Sequence, residues 1–94
     1  MILSLLGTAQ AAVYCRNGRT AVPYAKLADF LGKKYKEAPT HLGISGTDFI
    51  VLFTNKEKGT MTIVTVTKGL ACVIIAAEEW HYNVPAENLF DPEL

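Results

Sequence analysis

The chain lacks most of the features by which a function declares itself in sequence. Nine Lys and Arg balance nine Asp and Glu over 94 residues, so the net charge is zero. A nucleic-acid binder carries a basic excess or stripe, and the one basic cluster here, Lys33, Lys34 and Lys36, is followed at once by Glu37. That mixture reads as the solvated face of a helix, and no nucleic-acid partner is expected. There is no run of eighteen apolar residues, which excludes a membrane-spanning helix. There is no Cys-x-x-Cys, which argues against a redox pair or a zinc knuckle, and no glycine loop of the kind that cradles phosphates.

Catalytic residues are equally scarce. Serine occurs only at positions 4 and 45. Ser45, within Gly43-Ile44-Ser45-Gly46, has no strand–turn–helix context to make it a nucleophile elbow. Histidine occurs at His41 and His81 only. Glu79-x-His81, even joined by Glu78, is a weak signal, because a metal site needs three or four convergent ligands. Cys72 lies in the apolar run Leu-Ala-Cys-Val-Ile, a setting that disfavours a reactive thiolate. The carboxylates Glu37, Asp48, Glu57, Glu78 and Glu79 include no pair that the spacing places across a cleft. No metal, cofactor or catalytic residue is expected.

What is present is the balance of a folded domain: half the residues are hydrophobic and about a fifth are charged. A chain this short makes one domain with a thin core, and a disulfide or a partner would help to hold it. The segment Met1–Ala12 combines a short apolar run, Ile2–Leu6, with Ala9-Gln10-Ala11, which fits the small-residue pattern of signal-peptidase cleavage. Cleavage after Ala11 would make residues 1–11 the remnant of a signal peptide. The alternative is an uncleaved first strand. The two cysteines, Cys15 and Cys72, follow the same division. Export favours a structural disulfide between them, and a cytosolic location favours two buried thiols.

Tyr24, Leu27, Ala28, Leu31 and Tyr35 recur with helical period, with Phe30 widening the face. Thr20 as a cap or Pro23 in the first turn would start this helix, Asp29 and Lys33 would pair on its far side, and Pro39 would end it. From His41 onward the pattern turns to strands. A weak one carries Leu42 and Ile44, and Gly43, Gly46 and Asp48 mark a turn. Phe49–Thr54, Thr60–Thr67 and Leu70–Ala76 are dense in β-branched and apolar residues, separated by the loop Asn55–Gly59 and the turn Lys68-Gly69. The expected fold is α+β: one helix packed on a four-stranded antiparallel meander, occupying residues 12–82, with a loosely held acidic tail at 83–94. One helix cannot cover a sheet whose strand 49–54 is apolar on both sides, so a second layer or a partner is expected on the other face.

The order of these features resembles a group of small exported proteins from α-proteobacteria that have no assigned function. The residues carrying the resemblance are Cys15, Leu27, Tyr35-Lys36-Glu37, Gly43, Gly59-Thr60-Met61-Thr62, Gly69-Leu70-Ala71-Cys72 and Ala76-Ala77-Glu78-Glu79-Trp80, spanning roughly residues 15–80. The chain departs from the group at Met61, where tryptophan is usual, and at Ile50–Leu52, where an acidic residue is common. A phage-borne copy of such a gene would have the same character. The resemblance implies export and a Cys15–Cys72 bridge, and it implies no activity.

The expectation is therefore a non-enzymatic periplasmic or secreted module that binds a protein or a small apolar ligand. Its interaction surface would draw on Trp80, His81, Tyr82, Phe49 and Met61, and oligomers would form through an exposed sheet face or edge. A virion or envelope assembly protein is the alternative, with a cytoplasmic or virion location if the N-terminus is not cleaved. A small metal-dependent hydrolase using His41, His81 and Glu79 is the second alternative.

Overall fold

The structure, a computed structural model, describes residues 12–81. The signal-peptide reading of residues 1–11, the acidic tail and Tyr82 lie outside the described residues. In chain order the elements are β1 (Val22–Pro23), α1 (Tyr24–Tyr35), β2 (Ala38–Ser45), β3 (Asp48–Asn55), β4 (Thr60–Thr67) and β5 (Leu70–Ala77). The strands form one antiparallel sheet in the order β1-β5-β4-β3-β2. The α+β class and the meander stand as expected, but the sheet has five strands, not four. The extra strand is two residues long, too short to leave a periodic signature; Val22 and Pro23 pair with Ala71 and Leu70.

Both ends of α1 also differ from expectation. Thr20 does not cap it, being engaged in a bridge with Tyr14, and the cap position falls to Pro23, which makes no side-chain cap bond. The helix stops before Pro39. Lys36 adopts a left-handed conformation (φ 55°), and the N–H of Glu37 returns to the carbonyl of Leu31 at 3.2 Å. This is the helix-ending geometry usually built on glycine. Pro39 instead sits in β2, on the sheet's edge, where the lack of an N–H is tolerated.

The two tightest hairpins depend on residues that accept positive φ. Gly46 (φ 62°) lies between the paired Ser45 and Asp48, and Lys68-Gly69 (φ 52° and 80°) lies between the paired Thr67 and Leu70. The second has the dihedral signature of the turn whose twist matches flanking antiparallel strands.

Strand alternation then sorts the side chains. Val51 and Phe53 of β3, Val64 and Val66 of β4 and Ala71 of β5 point toward α1 and bury Leu31 with them. Phe53 and Val64 are fully buried at the centre, and the Tyr24 ring sits 6.0 Å from that of Phe53. The opposite face carries Ile50, Leu52, Met61, Ile63 and Ile75, which are half-buried or exposed. The sheet is thus apolar on both sides, and α1 covers one of them. Phe30 and Tyr35, placed on the helix's apolar face by spacing, are exposed at 48% and 42% and stack edge-on against each other at 6.0 Å.

The N-terminal segment is tied to β5. Cys15 and Cys72 form a disulfide, as the cysteine count under export and the resemblance both implied. The Asn17 side-chain amide donates to the Val73 carbonyl at 3.1 Å. That carbonyl adjoins a bulge in β5, where Val73 and Ile75 pair with consecutive residues of β4 and Ile74 is left over.

Candidate functional site

Two features stand out among the described residues: an edge strand with no strand paired to its outer side, and a cleft under the helix. The edge is β2. All eight of its residues are exposed, and none is Lys, Arg, Asp or Glu. Leu42 and Ile44 are exposed at 64% and 71%, and Phe49, paired with Ile44 on β3, at 46%. Of α1, Tyr24 borders this corner with Leu42 and Phe49, and the three side chains remain exposed as an apolar patch. Natural sheets blunt their edges with charge, proline or bulges. In β2 the proline and the register shift fall together at Pro39–His41, leaving Leu42–Ser45 unprotected. Nearby, Thr54 and Thr40 join hydroxyls at 3.2 Å, and His41 Nδ1 lies 3.0 Å from the Thr40 hydroxyl.

The cleft lies between α1 and the β4–β5 pair and has a volume of about 350 Å³. Leu27, Leu31 and Val73 make its walls, Met61 borders it from the start of β4, and Phe30 and Tyr35 stand at its rim. Glu37 also lines it. The sequence reading put Glu37 on a solvated face with the neighbouring lysines, but the residue is only 4% exposed. The left-handed Lys36 turns the chain at the end of α1 and directs Glu37 toward β4, where Thr62 Oγ1 donates to its Oε1 at 2.8 Å. Beside it the Thr60 hydroxyl is buried without a hydrogen-bond partner. The Asn55 amide, also buried, donates to the Tyr35 carbonyl at 3.0 Å and fixes the helix end over the sheet.

The residues singled out by sequence are dispersed. By strand alternation Phe49 and Met61 fall on opposite faces, about 17 Å apart along the strands. Phe49 belongs to the apolar corner beside β2 on the helix side, and Met61, on the other face, only borders the cleft at the start of β4. Trp80 is half-buried just past β5, and His81 is exposed. The ring of His81 approaches Glu79 at 3.7 Å with both side chains largely in solvent. His41 lies on the far edge strand, so the structure does not bring the three proposed hydrolase residues together. Among the described residues, no three His, Cys, Asp or Glu side chains converge as metal ligands, and no helix is long and apolar enough to cross a membrane.

Fold and site together describe, among the described residues, a small disulfide-bonded α+β domain with an open edge at β2 and an apolar cleft under the helix. No family model, curated protein or solved structure matches the chain.

Proposed function

We propose that the protein is a non-enzymatic interaction module of the periplasm or the extracellular space, and that it takes up an extended segment of a partner protein along β2. The observation that carries this reading is the charge-free, fully exposed strand β2 with Leu42, Ile44 and Phe49 beside it. A strand added to such an edge gains main-chain hydrogen bonds along its length, and alternate side chains find the apolar corner. The Cys15–Cys72 disulfide supports the compartment, since such bonds persist where the environment is oxidising, and the resemblance to exported proteins points the same way.

The test is retention of partners from periplasmic extract by the full chain and by Ile44→Lys, which places a charge on the edge. Partners held by the parent and released by the variant are expected. A monomer that retains nothing, or a retained set that I44K leaves unchanged, would exclude the reading. The same open edge also suits pairing between copies of the chain, as in an envelope or virion assembly. A mass in solution above that of one chain, lost in I44K, would favour that second reading.

A further inference from the structure

The cleft beneath α1 is separate from the β2 edge and lies toward the other margin of the sheet. Its chemistry is unusual for a thin core. A carboxylate is costly to bury unless a cation accompanies it, yet Glu37 belongs to neither ion pair among the described residues, Lys33–Asp29 or His81–Glu79. The hydrogen bond from Thr62 engages only one of its oxygens. The neighbouring Thr60 hydroxyl has no hydrogen-bond partner among the described residues. The walls around these groups are aliphatic, and the volume lies in the range of small-molecule sites.

The rim adds a second indication of sign. The Lys34 ammonium sits 5.6 Å from the centroid of Phe30 and 5.7 Å from that of Tyr35, so these rings already present π-faces to a cation. Among the lining residues two carboxylates, Glu37 and Glu78, stand against one guanidinium, that of Arg19. With Lys34 at the rim the charges balance, but the group buried inside is the Glu37 carboxylate, which an anion would meet unfavourably. A neutral apolar molecule would leave Glu37 and Thr60 unpartnered.

We propose that this cleft is a binding site for a small organic ammonium ion with an apolar body, the ammonium pairing with the Glu37 carboxylate and the body lying against Leu27, Leu31 and Val73. An ammonium donates three hydrogen bonds, enough to engage the carboxylate and the Thr60 hydroxyl together. The ring faces of Phe30 and Tyr35 would then border the charged end.

The proposal is tested by titrating the isotope-labelled full chain with three probes sharing a phenyl ring: phenethylammonium, 2-phenylethanol and 3-phenylpropionate. Amide shifts are read at Leu31, Glu37, Thr60 and Thr62. Phenethylammonium should shift these residues saturably, with phenylethanol weaker and phenylpropionate weakest. Glu37→Gln keeps an acceptor for Thr62, and it should weaken the ammonium by about tenfold or more while leaving phenylethanol within about twofold. Phe30→Leu, on the exposed helix surface, should weaken the ammonium by about two- to fivefold and remains informative if E37Q fails to fold. Binding of the anion as tight as that of the cation would overturn the proposal. So would shifts that map elsewhere, or no saturable shift up to about 10 mM, a concentration above the millimolar Kd of even weak sites.

Discussion

The two margins of the sheet are finished in opposite ways. Along the first half of β5, Leu70–Val73, the outer side is closed three times over: β1 pairs with Leu70 and Ala71, the Cys15–Cys72 disulfide crosses to it, and Asn17 caps the Val73 carbonyl beside the bulge. Along β2, among the described residues, no strand pairs with the outer side, and the strand has no Lys, Arg, Asp or Glu and no buried residue. A protein that needed only to fold would gain by guarding both margins, since an open apolar edge invites unwanted pairing. On the proposed reading the contrast assigns stability to one margin and interaction to the other, and it can be broken from either side.

The largest effect is expected at the closed margin. Replacing Cys15 and Cys72 together by serine removes a link across 57 positions, whose loop closure is valued at about 4 kcal/mol on the chain-entropy account. A loss of about 2–5 kcal/mol in urea unfolding is expected, most of what a domain this size possesses. A loss under about 0.5 kcal/mol would mean that the N-terminal segment does not hold β5. Intact mass before and after reduction and alkylation gives the companion measurement. Two thiols appearing only on reduction, on a chain lacking residues 1–11, is the outcome that fits export. Full-length protein with two free thiols would return it to the cytosol.

How much of this contrast was legible beforehand depends on the residue. The three long strands and their hairpins could be read because β-branched runs and glycine turns are local signals, and Thr60–Thr67 emerges with the bounds the pattern gave it. The bridge followed from an even cysteine count once export was assumed. The strand β1 could not be read, because Val22 and Pro23 are strand only by virtue of β5 beside them. Nor could the helix end be read: a left-handed lysine at position 36 has no compositional mark, and the later Pro39 was the more conspicuous stop. Glu37 was hidden for the same reason. Among lysines it has the composition of surface, and only the turn at Lys36 sends it inward. The sole hint was its place in the Tyr35-Lys36-Glu37 element of the resemblance.

A middle-sized effect belongs to that buried carboxylate, which links the helix end to the sheet centre. Thr62→Val removes the hydroxyl that Glu37 accepts from while keeping the shape of the side chain. Leaving a buried charged acceptor without its donor costs about 1–3 kcal/mol, and chemical denaturation should show a loss of that order. If stability were unchanged, Glu37 would be satisfied by other means, and the argument for a missing cation in the cleft would weaken with it. Asn17→Ala should cost less, about 0.5–1.5 kcal/mol, because its amide is exposed and water can replace it at Val73. A larger loss would give this single side chain a share of the closure now assigned to the disulfide.

The smallest effect on stability is expected where the effect on association is greatest. Ile44→Lys changes a side chain exposed at 71% on a strand with no outer partner among the described residues, so stability should move by less than about 0.5 kcal/mol. The substitution installs the charge that natural edges use against pairing. Concentration-dependent association, followed by sedimentation over a range of protein concentrations, should therefore fall while the unfolding midpoint stays in place. The pairing of these two readouts is what gives the variant its force. A drop in stability would show Ile44 to be part of the core after all, and loss of binding could then be blamed on unfolding. Unchanged stability with unchanged association would show that the open edge is merely open, and the difference between the two margins would then carry no functional meaning.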